Sequence, residues 1–205
     1  MWGSLRPQVC LDSQRGYYSQ QTRFQVRYIY NSVISELQRD PRRKFLFVET
    51  GYFMRWWYEQ TPATQNVTRG LVTAGQIDFV NGAWCMADDA SPGADDQIDQ
   101  ITLGHRFIKD TLGVDVKVAW HIDPFGLSAS YASIWGAMNY TAWVFNRVDT
   151  RLKDLWHNET RLQFDWIPNG TGTNPGVFSH VLDTHYVSCA AISGARTVIS
   201  PLQGV

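Results

Sequence analysis

The sequence predicts an α/β fold in which parallel strands alternate with helices. Three observations carry this. Short apolar runs of strand length recur along the chain. Between them lie segments with apolar residues at three- and four-residue steps, the spacing of one helix face. Glycine, proline or cap residues mark the boundaries. Strands separated by helices of ten or more residues pair in parallel through crossovers, because a two-residue hairpin can only return the chain antiparallel. The 205 residues read as a single domain, 1–205, long enough for one sizeable core.

Residues 1–16 have no periodicity and read as irregular. From Ser19 to Gln38, the residues Val26, Ile29, Val33 and Leu37 give a helix, which Pro41 stops. Lys44 to Glu49 is a short apolar run, a buried strand. Thr50-Gly51 breaks it, and the aromatic stretch Tyr52 to Tyr58 reads as helical. Thr61-Pro62 is a helix start, a cap residue followed by proline at the first helical position. Val67, Leu71 and Val72 supply that helix's face, and Gly75 suits its end. Ile77 to Trp84 is the next strand. A long helix is expected from Asp96 to Leu112, with Ile98, Ile101, Phe107 and Ile108 inward and Gly113 as its stop.

The next stretch, Val118 to Ser128, organises the rest. It begins apolar and then turns at Asp123-Pro124-Phe125-Gly126. Pro124 cannot donate to a sheet ladder and Gly126 punctuates the turn, so the strand ends there. Ser128 suits the cap of a helix with Tyr131, Ile134, Trp135 and Met138 on one face. A carboxylate where a strand gives way to a βα-loop is where parallel α/β enzymes put their chemistry. That makes Asp123 the candidate catalytic residue, against the plainer role of turn former. His121, two residues earlier on the strand, points the same way. With Asp123 and His180 or His185 it makes at best a weak metal site, and a core or supporting role is the stronger expectation. The remaining elements are a strand at Tyr140–Phe145, a short helix at Leu152–His157, a strand at Leu162–Ile167, a loop at Pro168–Pro175 and a last strand at Val177–Leu182.

Composition narrows the function. No apolar run reaches the length of a membrane span, and a net charge of −1 argues against nucleic-acid binding. The nine Trp suit a core or platforms for sugar faces. Three cysteines, Cys10, Cys85 and Cys189, fit either one disulfide with a leftover thiol or three unpaired thiols. Four sequons, at Asn66, Asn139, Asn158 and Asn169, are acceptors for N-glycans and point to the secretory pathway. Residues 1–6 open no apolar signal-peptide core, which pulls the other way. Asp88, Asp89, Asp165 and Asp183 are candidate partner acids, each expected as a turn or surface carboxylate.

Trp120-His121-Ile122-Asp123-Pro124-Phe125-Gly126 closely resembles the signature of glycoside hydrolase family 38, the zinc-dependent retaining α-mannosidases, and most of all their lysosomal branch. Phe53-Met54-Arg55-Trp56-Trp57, Asn81-Gly82-Ala83-Trp84, Asp99-Gln100-Ile101-Thr102-Leu103-Gly104 and Phe178-Ser179-His180-Val181-Leu182 are similar to family segments in the same order. The likeness covers residues 11–187, while 1–10 and 188–205 diverge. It implies a partial (β/α)7 barrel, a lysosomal or secretory location, and hydrolysis of terminal α-D-mannose in glycans with retention. Retaining glycosidases use two carboxyl groups about 5–5.5 Å apart. The resemblance assigns the nucleophile, and also one zinc ligand, to Asp123. It makes Phe125 and Arg147 substrate-binding residues, Phe125 lining the metal-side pocket and Arg147 stabilising the ionised nucleophile. A solvated strand-end charge is the plainer role for Arg147.

Departures from the family pattern matter as much. Its opening His-x-His-x-Asp-type segment, which supplies two zinc ligands, has no counterpart in residues 3–10, and no histidine precedes His105. The fourth zinc ligand and the acid/base aspartate are expected beyond residue 205. Leu127 and Pro92-Gly93 replace polar groups that support the family's site. The alternative expectation is therefore a catalytically inactive truncated or spliced product, a glycan- or protein-binding fragment.

Overall fold

The structure, a computed structural model, describes residues 26–168 and 176–183. In chain order the elements are α1 (Val26–Arg39), β1 (Phe45–Phe47), α2 (Thr50–Glu59), α3 (Pro62–Thr73), β2 (Ile77–Phe79), α4 (Ala94–Leu112), β3 (Val118–His121), α5 (Ala129–Ala137), β4 (Ala142–Phe145), α6 (Thr150–Asn158), β5 (Gln163–Trp166) and β6 (Val177–Val181).

Local chemistry sets the boundaries. Thr61 caps α3 by accepting from Thr64 N at 3.3 Å, with Pro62 at the first helical position. Gly113 ends α4 at φ 73°, in the left-handed region, and its N–H reaches Lys109 O at 2.8 Å. Ser128 caps α5 through Tyr131 N at 3.2 Å. Asp149 caps α6 through Arg151 N and Leu152 N.

β1 and β2 pair in parallel, as do β3, β4 and β6 in that order. Just past β2, Val80 N donates to Phe47 O and Asn81 N donates to Val118 O at 2.7 Å, so β3 lies beside the end of β2. The parallel rule breaks once. β5 lies antiparallel on the outer side of β6, Gln163 opposite His180 and Trp166 opposite Val177. The link between them, residues 167–176, is shorter than the roughly dozen residues that a parallel crossover needs.

Two further expectations are corrected. The second strand ends at Phe79 rather than Trp84, because Asn81 and Gly82 follow at φ 63° and 68° and lead the chain out of the sheet. Only glycine fits at 82, where a Cβ would stand 2.7 Å from the His105 ring. On α4 the buried stripe is Gln97, Gln100, Ile101, Gly104 and Ile108, so Ile98 lies one step round the helix and is exposed.

The core is aromatic. Phe47, Phe53, Trp56 and Phe79 pack between the first sheet and α2. Tyr131 and Trp135 of α5 pack over His121, which Trp143 of β4 also contacts. Burying each such ring contributes on the order of 1.5–3 kcal/mol. Cys85 is buried; Cys10 and Cys189 lie outside the described residues. No described helix is long and apolar enough to cross a membrane.

Candidate active site

The site forms beyond the C-terminal ends of the parallel strands. Asp123 follows β3 by two residues and is exposed. Arg147 follows β4 by two residues. Since β3 and β4 are parallel and in register, with His121 opposite Phe145, the two side chains reach the same place. Arg147 Nη2 lies 2.9 Å from Asp123 Oδ1. The same guanidinium stands 5.6 Å from the centroid of the Phe125 ring, within cation–π reach. Asp123, Phe125 and Arg147 therefore make one contiguous group. Next to Arg147, the buried Asn146 accepts from Lys153 Nζ of α6 at 2.7 Å, which fixes the chain at that strand end.

Phe125 and Arg147 border a cavity of about 850 Å³. Its walls include Phe145, Leu152, Trp156 and Trp166, with Asp149 and Asp165 adding carboxylates. It runs from the Asp123 loop between α6 and the sheet.

His121 and Asp123 do not point the same way. β3 ends at His121, and the turn at Pro124 and Gly126 (φ 95°) has begun to swing the chain by Asp123. His121 is 1% exposed among aromatic rings, while the Asp123 side chain is 66% exposed. His180, on β6, is partly buried, and burial holds its pKa below the ordinary histidine value. His185 lies outside the described residues. Among the described residues no three His, Cys, Asp or Glu side chains gather as a metal site. Zinc needs three or four ligands, and Asp123 supplies one carboxylate, so the described residues do not by themselves fit the metal.

The candidate acids separate. Asp88 closes a local turn by accepting from Ala90 N at 2.9 Å. Asp165 is exposed on β5, and Asp183 pairs with His157 at 2.8 Å. Asp89 is different, for its side chain is 4% exposed. Its Oδ2 accepts from Ser128 N at 2.6 Å, and its Oδ1 faces His121 Nδ1 at 3.6 Å. Glu49 is another acid, one that the sequence marks only as a strand end. It sits past β1, and its Oε1 accepts from Met86 N at 3.0 Å. Burial raises its pKa, and the charge of Asp123 raises it further, so the two carboxyl groups feel each other. In sequence, an acid after an apolar run is the one signal for Glu49; Asp89 stands there as a candidate partner acid expected at a turn or on the surface, and the structure buries it instead.

The family model described as "Glycosyl hydrolases family 38 N-terminal domain" matches residues 15–199. The lysosomal alpha-mannosidase of Dictyostelium discoideum is 40% identical over 161 residues, 78% of this chain and 16% of its own length. The human lysosomal alpha-mannosidase is 45% identical over 144 residues, 69% of this chain and 14% of its own length. This chain thus spans about a sixth of the curated relatives it matches. Among solved structures, an alpha-mannosidase from Enterococcus faecalis V583 aligns with a TM-score of 0.61 at 14% identity, over 77% of this chain and 17% of that one, which speaks for the fold. By its sequence the chain belongs to glycoside hydrolase family 38, in the N-terminal domain of that family.

Proposed function

We propose that this chain is the nucleophile-bearing part of a retaining α-mannosidase acting on terminal α-D-mannose of glycans. The carrying observation is the Asp123–Arg147 contact of 2.9 Å beyond the ends of two parallel strands, within a family 38 sequence. In this reading Asp123 attacks the anomeric carbon as the bond to the glycosidic oxygen breaks, a second carboxyl group protonates that leaving oxygen, and water activated by the same group then hydrolyses the glycosyl-enzyme ester. Arg147 holds the carboxylate in its attacking orientation, and Phe125 offers the sugar an apolar surface beside it. The strands belong to a partial (β/α)7 barrel, a reading supported by the parallel β1–β2 and β3–β4–β6 order.

Zinc belongs to the reaction as the family runs it, with Asp123 as one ligand; the described residues supply no complete site. A second reading, a chain that binds glycans or protein without turnover, is favoured by Leu127 and Pro92-Gly93, which stand where the resemblance expects polar groups that support the site. Location in the lysosome or secretory pathway is supported by the names of the relatives and by sequons at Asn66, Asn139 and Asn158, all exposed or partly so. Asn169 lies outside the described residues.

The test is hydrolysis of an aryl α-mannoside by the chain with added zinc, alongside its zinc content. Turnover with retained configuration, lost in Asp123→Asn, supports the enzymatic reading. Glycan binding with neither zinc uptake nor turnover supports the second.

A further inference from the structure

We infer that Asp89 is a positioning residue for Asp123, one buried carboxylate that braces both ends of the loop carrying the nucleophile. The inference rests on the proposed role of Asp123. That loop runs from His121, the last residue of β3, to Ser128, the cap of α5. Asp89 belongs to neither element; it comes from the segment after β2. Its Oδ2 accepts the Ser128 N–H at 2.6 Å, a short charge-assisted bond. Its Oδ1 faces Nδ1 of His121 at 3.6 Å. At that distance Oδ1 and Nδ1 are not hydrogen-bonded; both atoms are buried, so the carboxylate meets the His121 end of the loop by packing and the Ser128 end by its hydrogen bond.

A brace works only if its own anchor is stiff, and this one is. Thr50 N and Gly51 N donate to Ala83 O and Trp84 O at 3.1 and 2.9 Å. Trp84 N and Cys85 N donate to the backbone and side-chain oxygens of Gln100 on α4, each at 3.0 Å. Met86 N donates to Glu49. Residues 83–86 are therefore tied to Glu49, to the start of α2 and to α4, three residues before Asp89. His121 is itself walled by Tyr131, Trp135 and Trp143. The loop's two ends are thus fixed while Asp123 and Phe125, between them, stay exposed. A nucleophile held this way loses little orientational freedom before attack.

The experiment compares the full chain with Asp89→Asn and Asp89→Ala. Asparagine keeps an oxygen for Ser128 N–H and loses the charge; alanine loses both. Backbone amide resonances give the first readout. The Ser128 amide is expected to move upfield in both variants, and those of Asp123, Phe125 and Gly126 to shift or broaden, most in Asp89→Ala. Phe45 to Phe47 of β1 serve as the unmoved reference. Hydrolysis of an aryl α-mannoside gives the second: kcat falls about 10–100-fold in Asp89→Ala with KM little changed, and Asp89→Asn recovers part of the loss. Folded variants whose Asp123 and Phe125 amides coincide with the parent overturn the inference. So do shifted amides with unchanged kcat. Should the parent chain not turn over, the enzymatic reading fails by itself, and the amides alone decide whether Asp89 braces the loop. Should Asp89→Ala not fold, Asp89→Asn carries both readouts.

Discussion

Arg147 touches Asp123 with one nitrogen and sets its guanidinium over the Phe125 ring. One side chain thereby links the candidate nucleophile to the candidate sugar platform, across the ends of two paired strands. The link is exposed enough that water competes for it, so its worth lies in geometry rather than stability.

Arg147→Ala is therefore expected to change unfolding stability by only about 0–1 kcal/mol. Hydrolysis of an aryl α-mannoside should fall about 10–100-fold, the usual loss when a partner of a reacting ligand is removed. Arg147→Lys should not restore it, because an ammonium is a point charge without the plane that covers Phe125. Equal activity of the lysine and parent chains would reduce the contact to a surface ion pair.

Gly104 tests how closely α4 is seated under the site. A Cβ there would run into Gly82 O and lie 2.9 Å from the Ala83 carbonyl carbon. Those are backbone atoms of the segment that Thr50 holds through Ala83 O and Gly82 O, so they cannot give way cheaply. Gly104→Ala should lose about 1–3 kcal/mol despite alanine's better helix propensity. Gly70, inside α3, has nothing within 4 Å of its would-be Cβ, and Gly70→Ala should instead gain up to about 1 kcal/mol. Urea midpoints of the two variants should move in opposite directions.

The same contacts explain what can and cannot be read from the sequence. Caps and stops are local chemistry, so Thr61-Pro62, Gly113 and Ser128 mark their helix ends in the residues themselves. Asp123, Phe125 and Arg147 are legible through motif and resemblance, and strand register explains why they meet. The reversed β5 is hidden because Gln163–Trp166 is a plausible strand in either direction; only the length of the following link decides. The short β2 is hidden because its end depends on Gly82 packing against His105, a contact made across the fold. The burial of Asp89, one of four candidate acids in the sequence, is hidden for the same reason. Its two partners, His121 and Ser128, are far along the chain, and nothing in an aspartate pair announces that one of them is buried.

Glu49 supplies a pH signature. Burial and the Asp123 charge raise its folded pKa above the ordinary value of 4.5, although Met86 N–H works against the shift. Between 4.5 and the raised value the folded state holds a proton that the unfolded state has released. Stability must then fall as pH rises through that window, by at most about 1.4 kcal/mol per pH unit for one proton, and level off above it. Glu49→Gln keeps an oxygen for Met86 N–H and cannot ionise, so its stability should not show that decline and should exceed the parent's above the window. Asp123→Asn removes one of the two causes, so the parent's decline should shrink in that background. Urea midpoints of the parent and the two variants, followed from acid to neutral pH, make the check. A parent profile parallel to that of Glu49→Gln would mean that the carboxyl is ionised in the fold as it is in water, and that it senses neither its burial nor Asp123.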